Sequence, residues 1–147
     1  MTTTLNTPLR RPARVDQSKV WRVGGLAILA SAVANAIVYF IANAILRFPP
    51  EFPPLASVVP PVLFTVMFTL VAVVVFAVVA RRSSQPIRLY RIIAVVALVV
   101  SLLPDATLPG NPMFPGVTPA ALGTLVVMHL VAAAITVYLL TTQTLEA

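Results

Sequence analysis

Apolar residues in this chain run in four long stretches separated by short polar or proline-rich segments. The first stretch extends from about Val23 to Leu46, 24 residues without a charge. At 1.5 Å rise per residue, a helix of that length crosses a ~30 Å hydrocarbon core with some tilt. The second runs from about Val58 to Ala80 and stops at Arg81-Arg82. Pro60 and Pro61 stand in its first turn, where a missing N–H breaks no helical bond. The third is the least regular. Its strictly apolar part, Ile92 to Leu103, has 12 residues and is too short to cross. Taken from Leu89 to Leu108 it reaches 20, with Arg88 and Arg91 snorkelling from one end and Pro104 kinking or ending the helix near the other. The fourth covers about Pro119 to Leu140, with Thr118 as a plausible cap and Pro119 as the first helical residue. The pattern predicts an all-α integral membrane protein, an antiparallel bundle of four transmembrane helices over residues 21–140.

The segments between the stretches differ in character. Residues 1–20 are polar, carry Arg10, Arg11, Arg14 and Lys19, and read as a disordered basic tail. Trp21 and Arg22 suit an interface. Two connectors, around Pro49–Pro54 and Pro109–Pro115, are rich in proline and favour extended or turn conformations over helix. Residues 81–91 form a short basic loop, and residues 141–147 a short second tail. Nine of the ten Lys and Arg lie in the first tail with its flank or in that loop, so the positive-inside rule predicts both termini in the cytoplasm. A cleaved signal peptide is the rival reading of the first stretch, since Ala32-Val33-Ala34 fits a cleavage site. The apolar run continues past it through Ile41, longer than the ~7–15 residues of a signal core.

Composition narrows the function classes. Of 147 residues, 59% are hydrophobic and 10% charged, against about 25% charged in soluble domains. The net charge of +6 sits beside the apolar stretches, as signals for anionic lipid and topology do; no base-reading module accompanies it, so nucleic acid is not an expected partner. The absence of cysteine removes disulfides, thiolate metal sites and cysteine nucleophiles. There is no HExxH, no glycine-rich phosphate loop and no GxSxG elbow. The four acids, Asp16, Glu51, Asp105 and Glu146, all lie near stretch ends, which disfavours a small proton-coupled exporter that needs a mid-membrane carboxylate. An enzyme is not expected, nor a resident cofactor or metal.

Polar residues inside the stretches mark the candidate site. Ser31, Asn35, Tyr39 and Asn43 recur every four residues and form one stripe, which should face other helices because lipid offers no hydrogen bonds. His129, the sole histidine, lies midway along the fourth stretch as Asn35 does along the first, so the two would bond if their helices were neighbours. Asn35, Tyr39, Asn43 and His129 are therefore the candidate intramembrane polar site. His129 admits three readings: an interhelical hydrogen bond, a ligand to a haem or chlorin metal or a proton relay, and a contact with a partner subunit. Asp105 reads as a helix-end residue at the membrane edge.

The third and fourth stretches, Arg91 through Val99-Val100-Ser101-Leu102-Leu103-Pro104 and then Met128-His129-Leu130-Val131-Ala132-Ala133, resemble an uncharacterised family of bacterial four-helix membrane proteins. The resemblance spans about Trp21 to Leu140, implies a four-helix bundle and singles out Pro104 and His129, but implies no activity. The expected role is a non-enzymatic interaction or accessory subunit of the bacterial inner membrane, with the lipid bilayer, a protein partner or a second copy as its contacts. The alternative is a small transporter or ligand carrier built on the polar site.

Overall fold

Prolines, short capping side chains and one left-handed residue set the helix ends in this protein. The computed structural model describes residues 14–146. Four helical segments are long and apolar enough to cross a membrane. They are α1 (Gln17–Leu46), α2 (Val59–Arg82), the pair α3 (Pro86–Ser101) with α4 (Leu103–Ala106), and α5 (Pro119–Thr142).

At the start of α1, Asp16 Oδ1 accepts from the Ser18 N–H at 2.9 Å and from the Ser18 hydroxyl at 2.6 Å. Its far end is closed by Asn43. The Asn43 carbonyl accepts from the Arg47 N–H and its side-chain oxygen from the Phe48 N–H, both at 3.0 Å. Arg47 takes a left-handed φ of 50° to allow this, a conformation costing about 1–2 kcal/mol for a residue with a Cβ, which the two bonds offset. Thr118 caps α5 through its hydroxyl oxygen, 3.1 Å from the Ala121 N–H, with Pro119 first in the helix.

The third segment is not the single helix expected over residues 89–108. It begins earlier, at Pro86, and breaks at Leu102. Pro104 has no N–H to give the Val100 carbonyl, and its ring crowds that position. The chain tightens instead: the Leu102 N–H bonds the Val99 carbonyl at 3.2 Å and the Ser101 hydroxyl the Leu98 carbonyl at 2.7 Å. The short α4 then forms, closed by Thr107, whose N–H and hydroxyl both donate to the Pro104 carbonyl.

The expected tail over residues 1–20 also needs correction where it is described; residues 1–13 lie outside the described part. Residues 17–20 belong to α1, and Val15 pairs with Leu145 in an antiparallel bridge. Asp16 N–H donates to the Thr144 carbonyl at 2.8 Å, Glu146 N–H to the Arg14 carbonyl at 3.0 Å, and Lys19 Nζ to the Leu145 carbonyl at 2.9 Å. The two described ends of the chain are therefore fastened together at one end of the bundle. Leu145 and Glu146, which the sequence marks only as part of a short second tail, are held in that clasp.

α1 packs most extensively, against both α2 and α5; α3 lies against α2 and α5. Two apolar clusters result. At the end where residues 14–16 meet residues 144–146, Val20, Val73, Phe76, Tyr90 and Leu140 are buried, with the Tyr90 ring edge-on to Phe76 at 4.8 Å. At the other end, both proline-rich connectors fold onto the helices: Phe48, Phe52 and Leu55 from one, Leu108 from the other, against Tyr39, Leu125 and Met128. The connectors also touch each other, because a Cβ on Gly116 (φ +74°) would lie 2.8 Å from Glu51 Cγ. The outward faces remain apolar, with Leu29, Val33, Ile37, Phe40 and Ile41 of α1 half or more exposed. That surface suits lipid and not water.

At Gly24 α1 and α2 approach closely: a Cβ there would clash with Val73 Cγ1, whereas one on the adjacent Gly25 would meet nothing within 4 Å. Valine is stiff at χ1 and cannot swing aside. Gly24→Ala should therefore destabilise the fold by about 1–3 kcal/mol through overpacking, and Gly25→Ala should be neutral or stabilise it by up to ~1 kcal/mol through helix propensity. Reversible unfolding in detergent measures both, and equal effects would remove the close approach. Acid reads out the Asp16 cap. The Ser18 hydroxyl first, then the Ser18 N–H, hold the Asp16 carboxyl below its ordinary value, and Lys19 adds attraction. A carboxyl lowered on folding stabilises the fold above its unfolded value of about 4, and that contribution fades as pH falls through the lower folded value. Amide exchange in the first turn of α1, corrected for intrinsic rate, should accelerate over that acid range and show no such step in Asp16→Asn.

Candidate functional site within the helix bundle

A thin polar layer separates the two apolar clusters. Asn35 of α1 is its centre, 2% exposed, with both hydrogens of its amide in use. Nδ2 donates to Thr65 Oγ1 of α2 at 2.8 Å and to the Met128 carbonyl of α5 at 3.2 Å. Thr65 accepts that bond while its own hydroxyl donates to the Pro61 carbonyl at 2.7 Å. One turn away, Ser31 of α1 and Thr136 of α5 face each other with hydroxyl oxygens 3.4 Å apart, both buried. Asn35 thus joins three helices through one side chain. Its Oδ1 is buried and has no hydrogen-bond partner among the described residues.

The four candidate residues do not converge on one site. Tyr39 enters the connector-end cluster beside Phe40 and Phe48. Asn43 closes the end of α1. Asn35 bonds the backbone next to His129 and not the imidazole, so the expected Asn35–His129 bond is replaced. The reason is angular: residues 128 and 129 point about 100° apart on a helix, and Met128 is the one turned to α1.

His129 turns elsewhere. Its Nδ1 lies 2.8 Å from the Leu125 carbonyl of its own helix and 3.6 Å from Asp105 Oδ2. A carbonyl only accepts, so the bond assigns a ring hydrogen to Nδ1, while Nε2 has no partner among the described residues. The imidazole is about one third exposed (31%) and Asp105 less (15%). Asp105 Oδ2 is itself buried and has no hydrogen-bond partner among the described residues, and the imidazole lies within ion-pair distance of it. Asp105 is therefore not the isolated helix-end residue it resembles in the sequence. The break at Leu102 brings α4 against α5 and sets the carboxylate beside the histidine. A signal for this was present in the chain: Ala94, Leu98, Ser101 and Asp105 recur at helical spacing and, with Ile93 and Leu102, are the half-buried residues between 91 and 107.

Chemically, this is a carboxylate and a carbonyl orienting an imidazole whose other nitrogen is available. Among the described residues, no group of three or more His, Cys, Asp or Glu comes together to hold a metal ion. The two clearest grooves lie away from these residues. One, about 460 Å³, is wholly apolar and runs between α1 and the first turns of α2, past Phe40 and Val62; the other is at the opposite end, beside Arg88.

A family model described as a family of unknown function, DUF6069, matches residues 15–146. The chain belongs to that family. The matched stretch starts at Val15, the residue that pairs with Leu145, and takes in every helix described above. No curated protein and no solved structure matches the chain.

Two substitutions separate the roles of these residues. Asn35→Ala removes two interhelical bonds worth about 0.6–2 kcal/mol each and should destabilise the bundle by ~1–3 kcal/mol in detergent unfolding. Thr65→Val, which leaves the Met128 bond in place, should lose less. For the second pair, Asp105→Asn and His129→Gln should be non-additive by about 0.5 kcal/mol or more in a double-mutant cycle. Strict additivity would mean the carboxylate and imidazole do not interact.

Proposed function

We propose that this protein is a multi-pass protein of the bacterial inner membrane, its helices alternating in direction and both ends cytoplasmic, and that it serves as a non-enzymatic interaction or accessory subunit. The observation that carries the reading is the use of the mid-depth polar groups. Asn35, Ser31, Thr65 and Thr136 are buried and bonded between helices, which suits a protein whose interior holds it together more than one that passes a solute. The apolar outer faces support membrane residence, and the concentration of cations at the end that bears the termini supports the orientation. The partner would be another membrane protein or a second copy; nucleic acid is not among the proposed partners.

One observation favours a second reading, a ligand carrier. His129 Nε2 has no partner among the described residues, and its Nδ1–H is held by a carbonyl and flanked by a carboxylate, the arrangement that second-shell groups give to a metal-ligating histidine. A metal already held in a planar macrocycle needs only one such ligand.

Native mass spectrometry of protein extracted gently from its own membranes discriminates the two. A co-purifying polypeptide or a homo-oligomer supports the subunit reading. A bound small molecule or a visible absorption band that His129→Ala abolishes transfers the weight to the carrier, and a bare, colourless 15.7 kDa monomer counts against both. A tag after residue 147 that is labelled from outside intact cells would overturn the orientation.

A further inference from the structure

The groove at the end that bears the termini differs from the apolar one in its lining. It has a volume of about 260 Å³ and is formed by Ser83 and Gln85 of the α2–α3 turn and by Arg88, Leu89 and Ile92 of α3. The turn supplies Ser83 and Gln85, and α3 supplies Arg88, Leu89 and, one turn on, Ile92. Its volume lies below the ~300–1,000 Å³ of sites that enclose a whole small molecule, and it is open along one side. Such a groove fits one part of an amphiphile, a charged head group at the turn with an alkyl chain continuing along Leu89 and Ile92.

Charge identifies the head group. The described cations at this end are Arg14, Lys19, Arg22, Arg81, Arg82, Arg88 and Arg91, against the acids Asp16 and Glu146. Several already have partners inside the protein: Lys19 has Asp16 at 3.8 Å and the Leu145 carbonyl, Arg81 has Gln17, and Arg91 has Thr141. Arg88 is exposed, lines the groove and has no hydrogen bond or ion pair to another described residue, so its guanidinium is available for a bidentate contact. The Ser83 hydroxyl, which lines the groove, accepts from the Gln85 N–H at 3.1 Å and donates to no described residue, so its own hydrogen is still to give. An arginine fork, a hydroxyl and an amide match the oxygens of a phosphodiester.

We propose that this groove is a binding site for an anionic phospholipid, Arg88 and Ser83 holding the phosphodiester and Leu89 and Ile92 lying along the first acyl chain. The inference rests on the membrane reading above and goes beyond it, because it assigns one cation a specific role that diffuse attraction to the surface does not give the others. A basic residue near an anionic surface contributes about fivefold in affinity wherever it stands. A site residue must exceed that.

The test measures retention of phosphatidylglycerol over phosphatidylcholine by native mass spectrometry of the full chain released from mixed vesicles, for wild type, Arg88→Gln and Arg82→Gln. Arg82 is exposed at the same end and does not line the groove. The expected result is preferential retention of phosphatidylglycerol, weakened tenfold or more by Arg88→Gln and no more than about fivefold by Arg82→Gln. Equal losses in the two variants, or no preference in wild type, overturn the site. Inorganic phosphate at millimolar concentration separates the sources of the chemistry: displacement of the lipid by phosphate alone would mean a free-phosphate site and would also overturn the proposal. Flotation of the chain with the vesicles is scored separately. Failure to float would overturn the membrane reading, whereas flotation without lipid preference would sink only this inference.

Discussion

The bond between the Asn35 amide and its two acceptors is the constraint that the rest of the bundle accommodates. Where the surroundings are apolar, an amide N–H without a partner costs several kcal/mol. Both donors of Asn35 must therefore meet acceptors at the same time, one on α2 and one on α5. That demand fixes how far each helix slides along α1 and how each is rotated about its own axis. Apolar packing in a lipid-like environment supplies little of this, since one leucine face suits another in many registers. The small residues beside the layer complete the fit: Ala27 is fully buried, and Gly24 admits Val73 to within contact of the α1 backbone. Register from the amide and closeness from the glycine are two halves of one arrangement.

Pro104 governs the other half of the molecule. By denying Val100 a helical partner it ends α3 short and lets α4 turn against α5, which moves Asp105 from a nominal helix end to the side of His129. The same break leaves α3 the least buried of the long helices, with only Pro86 and Tyr90 fully covered. Its firm attachment is therefore near the termini, through Tyr90 on Phe76 and Arg91 on Thr141 at 3.2 Å. The far part of that segment is anchored mainly through the connector beyond α4, whose residues Leu108, Phe114 and Val117 join the second cluster.

Much of the architecture was legible in the chain because long apolar runs, proline at first turns and threonine before Pro119 each have a single local meaning. The burial of the Ser31–Asn35–Tyr39 stripe was legible for the same reason: polar side chains in lipid must find protein. The partner that each would find remained hidden. Periodicity places Asn35 on a face, but whether Met128 or His129 stands opposite depends on a rotation of α5 that no local pattern encodes. The role of Thr65 was hidden because a hydroxyl that satisfies itself on its own helix gives no sign that it also accepts from a neighbour. The clasp of Val15 with Leu145 was hidden because two residues in short polar segments carry no pairing signal across most of the chain length.

The two ends of the bundle are built on opposite principles, and this bears on where a partner could meet the protein. The end with the termini is basic and closed by backbone pairing, and its cations are partly committed to the protein itself. The opposite end is nearly uncharged and closed by interlocked connectors, where Gly116 rests against Glu51 and Pro49 with no room for a side chain. Proline-rich segments lose little conformational entropy on becoming ordered, because the ring has already fixed φ in the unfolded chain. A cap made this way can present a fixed surface without much burial to hold it. Asp105 and His129 lie directly below that cap, joined to it through α4 and Leu108. A change in the charge of that pair would act on the connector through α4 and on the Asn35 layer through α5, because Met128, next to His129, carries the carbonyl that Asn35 bonds.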